Sequence, residues 1–381
     1  MSYIVGDLIK KAKIEKCKKQ DFPVLSMTMK DGIVFQNDRF KKQIASIDKS
    51  SYNIVKRNQL VVSFPIDEGV LAVQDIIDFG IVSPAYKIWD INDYLVIPKF
   101  LEAFLRSPHS IQYYKSKLHG STARRRTITD SDLLQMEVPL VSFTEQKRIL
   151  ENIRKVKHII TYRRIQLEKL DLLVKARFVE MFGDSSKYNI EQLKNNVEEM
   201  FIGPFGSALK SEYFVDEKDA YCMVYEQKHA IQKTLNLPTR YVDKEKYNEL
   251  KRFTVLGNDI IISCRGTIGE IYSIPKDAPM GIMHPSIMKI RLNKEKYRNL
   301  FFTIMLEQYM QNSMTKAKGS GVKMAVTATE LGKEFFIVPS IEEQKTFENF
   351  VKQVDKSKAT VQKALDEAQL LFDSLMQEYF G

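Results

Sequence analysis

The sequence predicts an α+β chain written twice. Each copy is a mixed globule followed by one long helix, and the two helices form an antiparallel coiled coil. Three observations carry this: an ordered internal repeat, short β-rich runs bounded by turn residues ahead of each long helix, and a heptad apolar spacing in both long stretches.

The repeat has a separation of about 200 residues. Asn58-Gln-Leu-Val-Val-Ser63 returns as Asn258-Asp-Ile-Ile-Ile-Ser263, and Ser83-Pro84-Ala85-Tyr86-Lys87-Ile88 as His284-Pro285-Ser286-Ile287-Met288-Lys289-Ile290 with one residue inserted. His119-Gly120-Ser121 is echoed by Lys318-Gly319-Ser320, Val138-Pro139 by Val338-Pro339, Glu145-Gln146-Lys147 by Glu343-Gln344-Lys345, and Phe182-Gly183 by Phe380-Gly381. One dipeptide match is noise, whereas a series in the same order is a duplication.

Within each globule, Gln59–Phe64 and Asp259–Ser263 read as buried strands, because continuous apolar runs of that length sit between polar or glycine residues. Lys99–Leu105 and Tyr297–Met314 read as helices. The boundaries are a first globule at 1–142, a first long helix at 143–184, a second globule at 185–339 and a second long helix at 340–381. Each globule is long enough to bury its own core.

The long helices are expected over Thr144–Phe182 and Glu342–Phe380. Ser142 or Thr144 can cap the first. Ser340 with Glu343 has capping-box spacing at the second, and Gly183 and Gly381 suit left-handed C-terminal caps. The first seam reads Ile149, Ile153, Val156, Ile160, Arg163, Leu167, Leu170, Val174, Arg177, Met181. The second reads Phe347, Val351, Val354, Lys358, Val361, Leu365, Ala368, Phe372, Leu375, Tyr379. A 3-4 apolar spacing of this length is a coiled-coil pattern, and pairing within the chain hides both stripes. Equivalent units related by a two-fold axis would set the helices antiparallel, each about 55 Å long. A parallel pair, or a helix packed on its own globule, is compatible with the same pattern.

Hydrophobic residues make up 44% and charged residues 28% of the 381, which excludes a disordered or collagen-like chain. Lys plus Arg exceeds Asp plus Glu by 58 − 48 = 10, a basic balance that favours a polyanionic partner. Cys17, Cys222 and Cys264 are too scattered for a disulfide framework or a zinc site, so reduced thiols and a cytoplasmic location are expected. No run approaches the roughly 18 apolar residues of a membrane span, and no membrane partner is expected. Phosphate-binding loop, dinucleotide, metalloprotease and serine-elbow motifs are missing, and the five histidines are dispersed. No catalytic residue and no metal ligand is therefore assigned.

Basic clusters recur at one point of the repeat. The first copy has Lys115, Lys117 and then His119-Gly-Ser-Thr-Ala-Arg124-Arg125-Arg126. The second has Lys316, Lys318, Gly319, Ser320, Gly321 and Lys323. Glycine and serine let backbone approach a phosphate, and the cations supply affinity. Ser26 and Thr28, the segment Gly203-Pro-Phe-Gly-Ser207-Ala-Leu-Lys210, and Arg265 in Cys264-Arg-Gly-Thr-Ile-Gly269 are further candidate nucleic-acid contacts. Each alone is also an ordinary turn. The basic face of the first long helix (Lys147, Arg148, Arg154, Lys155, Lys157, Arg163, Arg164) suits a phosphate backbone, an acidic partner, or plain solvation.

These residues resemble the DNA-specificity subunit of type I restriction–modification systems. Pro139-Leu-Val-Ser-Phe-Thr-Glu-Gln-Lys-Arg-Ile149 looks like that family's entry into its first conserved helix, and Arg177-Phe-Val-Glu-Met-Phe-Gly-Asp184 like its exit. Gly203–Lys210 and Arg265–Gly269 resemble motifs of its target-recognition domains. The second helix is more divergent, with Ala364 and Ala368 at bulkier family positions, and the first globule lacks Gly-Pro-Phe-Gly-Ser.

The resemblance implies two target-recognition domains, each reading one half of an asymmetric, bipartite site in double-stranded DNA. It implies that the helices fix the spacer and dock two modification (methyltransferase) subunits that use S-adenosylmethionine, and that two restriction subunits requiring ATP and Mg can join. This chain would itself bind no cofactor and perform no catalysis. The competing readings are a nucleic-acid clamp without sequence choice and an enzyme with an unrecognised site.

Overall fold

The computed structural model describes residues 3–18, 22–39, 49–118, 127–320 and 327–381, with the side chains of 314–320 outside that description. By compactness the chain forms two units. One is Met1–Leu167 with Thr360–Gly381, and the other is Glu168–Ala359.

In the first unit, β1 (Ile9–Lys11), β2 (Leu60–Val62), β3 (Leu71–Val73) and β4 (Lys87–Ile91) form an antiparallel sheet in the order β1-β4-β2-β3. Side chains alternate between faces along a strand. Leu60, Val62, Val73 and Trp89 meet Phe100, Leu101 and Phe104 of α1 (Pro98–Leu105) on one side. Val61, Ala72 and Ile88 meet Leu25, Val55 and Val82 on the other. Pro98 starts α1 where a missing N–H costs nothing. The chain breaks at Ser107, which caps α2 (Pro108–Ser116) by accepting from Ser110 N–H at 3.2 Å. The first long helix, α3, runs Phe143–Phe182.

In the second unit, β5 (Val197–Ile202), β6 (Ile260–Ser263), β7 (Ile271–Ser273) and β8 (Ile287–Leu292) repeat the arrangement as β5-β8-β6-β7, again antiparallel. Leu60 opposite Trp89 becomes Ile260 opposite Ile290. One face of this sheet lies on the helix Asn299–Ser320. The other lies on a second sheet ordered Tyr241–Val242, Cys222–Tyr225, Gly281–Met283, Thr254–Val255, with Tyr225, Val255, Ile261 and Met283 between them. Helices of this half include α4 (Gln227–Gln232), α5 (Asn299–Ser320) and α6 (Ile341–Phe380). The predicted helix at 297–314 thus starts two residues later and extends to Ser320.

The long helices are antiparallel in each unit. In the first, Ile149 and Ile153 share a core with Met376 and Phe380, Val156 and Ile160 meet Ala368, and Asn152 Nδ2 donates to Tyr379 Oη at 3.0 Å. In the second, Val174, Phe178 and Phe182 share a core with Phe347, Val351 and Val354, and Lys358 Nζ lies 2.6 Å from Asp171. In both, residue numbers rise on one helix as they fall on the other.

Of the expected seam residues, Ile153, Val156, Ile160, Val174, Val351, Val354 and Val361 are buried, while Leu167, Leu170, Leu365, Phe372 and Leu375 are half-buried. At the C-terminal ends the buried positions are Phe178, Phe182, Met376 and Phe380, one residue beyond the expected Arg177, Met181, Leu375 and Tyr379. An α-helix drifts by about 20° per heptad against a 3.5 repeat, so a strict seven-residue count slides off the buried face. There the helices meet a globule rather than only each other: Phe380 stands edge-on to Phe100 at 5.4 Å, and Phe182 to Phe301 at 4.9 Å.

The caps follow the sequence in part. Ser340 and Glu343 form the reciprocal box, at 3.0 and 3.3 Å, and Ser142 rather than Thr144 accepts from Glu145 N–H. Gly183 and Gly381 are not left-handed, contrary to expectation, since neither has positive φ. Gly183 N–H still bonds Val179 O in helical fashion, and a Cβ there would sit 2.5 Å from that oxygen. Glycine is needed for close approach, not for handedness.

A buried glutamine ties each long helix to its globule. Gln146 accepts from Ile97 N–H, at the start of α1, at 2.8 Å and donates to Val141 O at 2.9 Å. Gln344 accepts from Arg298 N–H, at the start of α5, at 2.8 Å and donates to Pro339 O and Lys296 O at 2.8 and 2.9 Å. Each amide thereby satisfies a free N–H at one helix start and carbonyls of two loops.

Candidate nucleic-acid interface

Three loops of the second unit leave one end of its sheet. Ile202 is opposite Met288 and Ser263 opposite Ile287, so segments 203–210, 264–269 and 284–286 emerge together. Gly203 N–H donates to Ile287 O and Cys264 N–H to Ser286 O, both at 2.9 Å. Gly203 is pressed on the His284 carbonyl so closely that no Cβ fits.

The turn after β6 is held by its own bonds. Ser263 Oγ donates to Thr267 O at 2.6 Å and accepts from Glu270 N–H at 3.0 Å. Gly266 and Gly269 take φ of +66° and +89°, which only glycine adopts without strain. Arg265 is exposed on this turn, and the Gln227 amide of α4 faces Gly266. In the neighbouring loop Phe205 is 90% exposed, Ser207 is exposed, and Lys210 is exposed with Glu212 at 3.8 Å.

Arg240 and Lys228 both pair with Glu226, and Arg240 lies over the Phe214 ring at 4.4 Å. Burial, reinforced by the charges of Arg240, Arg265 and Lys228, holds the His284 imidazole down at about 4, so it is neutral near pH 7. Its Nδ1 is 2.7 Å from Ser286 Oγ. Arginine, lysine and glutamine side chains thus surround rigid glycine-bearing turns, and these are side-chain types that can donate hydrogen bonds to phosphates and base edges.

The corresponding end of the first unit's sheet has different chemistry. Lys11 and Lys87 converge on Asp130 at 2.9 and 2.7 Å. Burial acts to raise the Asp130 carboxyl, but the two ammonium groups outweigh it and hold the carboxyl below its usual range. Ser26 is half-buried on the strand Leu25–Thr28. Thr28 is buried, its Oγ1 donating to Gly32 O and accepting from Asp31 N–H, both at 3.0 Å, so that hydroxyl is spent on a turn.

Arg124, Arg125, Arg126 and Lys323 lie outside the described residues. Lys318 and Ser320 fall in the last turn of α5, where only the backbone is described. Gln227, Lys228, Arg240 and Phe205 were not singled out from sequence. Phe205 lies inside a motif that was, and the others sit in stretches without a repeat partner or basic cluster to mark them. Among the described residues, no group of three or more His, Cys, Asp or Glu is placed to hold a metal, and no helix is long and apolar enough to cross a membrane.

Residues 211–369 match the family model for the type I restriction modification DNA specificity domain. That segment carries the specificity domain of this family. Over its whole length the chain has the fold of a chain from a structure describing complex assembly and conformational transition of the type I R-M system. Identity is 15%, the TM-score 0.68, and coverage 100% of this chain and 97% of that one. It is similar in fold, too, to the type I restriction–modification S subunit from M. genitalium, with 14% identity, a TM-score of 0.53, and coverage of 100% and 96%. A comparison with curated proteins gives no significant match. The matched segment includes the Arg265 turn and begins directly after Lys210.

Proposed function

We propose that this specificity subunit reads a bipartite, asymmetric site in double-stranded DNA, one half per globule, and that bond-making belongs to partner subunits. The observation that carries the reading is the same four-stranded sheet order in both units with unlike chemistry at the same sheet end: Arg265, Gln227 and Phe205 in one, the Lys11–Asp130–Lys87 cluster in the other. A repeated frame with different loops is what two unlike half-sites require. On this reading the paired helices fix the spacer. Modification subunits supply S-adenosylmethionine chemistry, and restriction subunits, where present, supply ATP- and Mg-dependent cleavage.

A protein partner is supported by a groove of about 1150 Å³ in the first unit. Ile97, Ile111, Leu150, Phe372 and Met376 line it, and six Lys or Arg side chains outnumber Glu102, Glu151 and Asp373 around it. An apolar segment with acidic flanks, offered by a modification subunit, fits that balance.

Domain exchange tests the reading. Replacing 185–339 by the equivalent part of another specificity subunit, and mapping methylated adenines made by the assembled complex, should change one half-site and leave the other. Change in both or in neither defeats it. Equal affinity for random competitor DNA would favour a clamp without sequence choice.

A further inference from the structure

We propose that Phe205 is a wedge that enters the duplex at a base-pair step of the half-site read by the second unit. This rests on the DNA-reading function above and adds to it a residue and a distortion. Phe205 is 90% exposed, although its neighbours on both sides are anchored. Gly203 is bonded to Ile287 O and pressed on the His284 carbonyl. Pro204 and Leu209 are buried. Ala208 N–H donates to Phe205 O at 2.9 Å and Leu209 N–H to Gly206 O at 3.4 Å, closing a short 3₁₀ turn (Gly206–Ala208) beneath the ring.

A singly exposed ring is ordinary on a protein surface, but this one stands on a fixed mount at the sheet end that also carries Arg265 and Lys210. Nothing stands within 4 Å of where a Cβ on Gly206 would lie, so the space beside the ring is open. The charges nearby choose the occupant. Arg265 on the adjoining turn and Lys210 at the end of the same loop are exposed cations, suited to the phosphates flanking an opened step. Apolar wedges of this kind unstack a step and kink the duplex, so sequence is read through deformability as well as through base edges. The equivalent stretch of the first unit, Ala12–Lys18 after β1, has Lys13, Lys16, Lys18 and the exposed aliphatic Ile14 but no aromatic ring.

The test uses the full chain. A pool of duplexes with a random core is selected on the wild type, and the selected site is remade with 2-aminopurine at successive positions. Wild type should raise the fluorescence at one step of the second unit's half-site. Phe205→Ala should lose that rise, weaken binding to the selected duplex tenfold or more, and keep the thermal midpoint and salt slope. Phe205→Trp should retain both rise and affinity. Binding by Phe205→Ala within twofold of wild type, the absence of a rise at any step with wild type, or intact DNA binding with loss of co-purification with modification subunits would each overturn the wedge while leaving the DNA-reading function standing. If selection enriches no site at all, both fall.

Discussion

Lys289 occupies, opposite Ile261, the register position that Ile88 occupies opposite Val61 in the first copy. The frame is identical and the side chain is not. Only 1% of the Lys289 side chain is exposed, and its Nζ bonds Glu199 Oε2 at 2.5 Å and Thr254 O at 2.7 Å, beside the Phe201 ring. Arg291 forks onto Asp259 with bonds of 2.7 and 2.8 Å and also reaches Glu199. In the first copy the same place has Gln59 donating to Asp90 at 2.7 Å. An apolar core position has become part of a charged network next to the strand that feeds the Phe205 loop.

Removing the exposed partner of such a pair costs more than removing the buried one. Glu199→Ala leaves an ammonium group in the core and should destabilise the chain by about 3–5 kcal/mol. Lys289→Met should cost less, because Glu199 is partly solvated and retains Arg291. Urea denaturation of the two variants checks the order, and the reverse order would contradict the assignment.

Gln146→Leu and Gln344→Leu should each destabilise by about 2–4 kcal/mol, because buried N–H and C=O groups lose their partners without gaining water. Loss of amide protection should begin at residues 97–101 in the first variant and at 298–302 in the second. Hydrogen exchange followed residue by residue decides this.

The aromatic ends of the long helices should be equally costly to truncate. Phe182→Ala and Phe380→Ala each remove a buried ring from an aromatic cluster, for a loss of about 3–5 kcal/mol. By contrast, Val179→Ala on the exposed face near Phe182 should change stability by less than about 0.5 kcal/mol. Thermal midpoints of the three variants test the contrast.

Acid should weaken the second unit before general acid unfolding. Burial holds His229 and His284 at about 4 in the fold, below the ordinary histidine value of 6.5. The unfolded chain therefore binds more protons between those values. The stability these neutral rings contribute is complete above pH 6.5 and is lost as pH falls through 4. His284→Asn, which keeps an acceptor for Ser286 N–H, should flatten the decline of the thermal midpoint between pH 6.5 and 4.

Several features were legible because they depend on neighbours in sequence. The Ser340–Glu343 box, the choice of Ser142 or Thr144 as cap, the helix at Lys99–Leu105 and the two long helices all rest on spacings within a few residues. Gln146 and Gln344 were visible as a repeated dipeptide context, but their role was not. It depends on Ile97 and Arg298, which reach them only through the fold. The expected glycine caps failed for a related reason, since a glycine demanded by a nearby carbonyl reads like one demanded by positive φ.

The amino-acid order alone determined that one unit occurs twice, that each copy ends in a long amphipathic helix, and that the copies diverge in their loops. Periodicity and repetition are properties of the chain itself, so they survive without coordinates. Tertiary structure decided which residues of those helices are buried at their ends, and which loops share a sheet end with Arg265. It also decided that Phe205 stands in water. These depend on packing between segments far apart in sequence, where helical drift and strand register set each neighbour and no local pattern records the result.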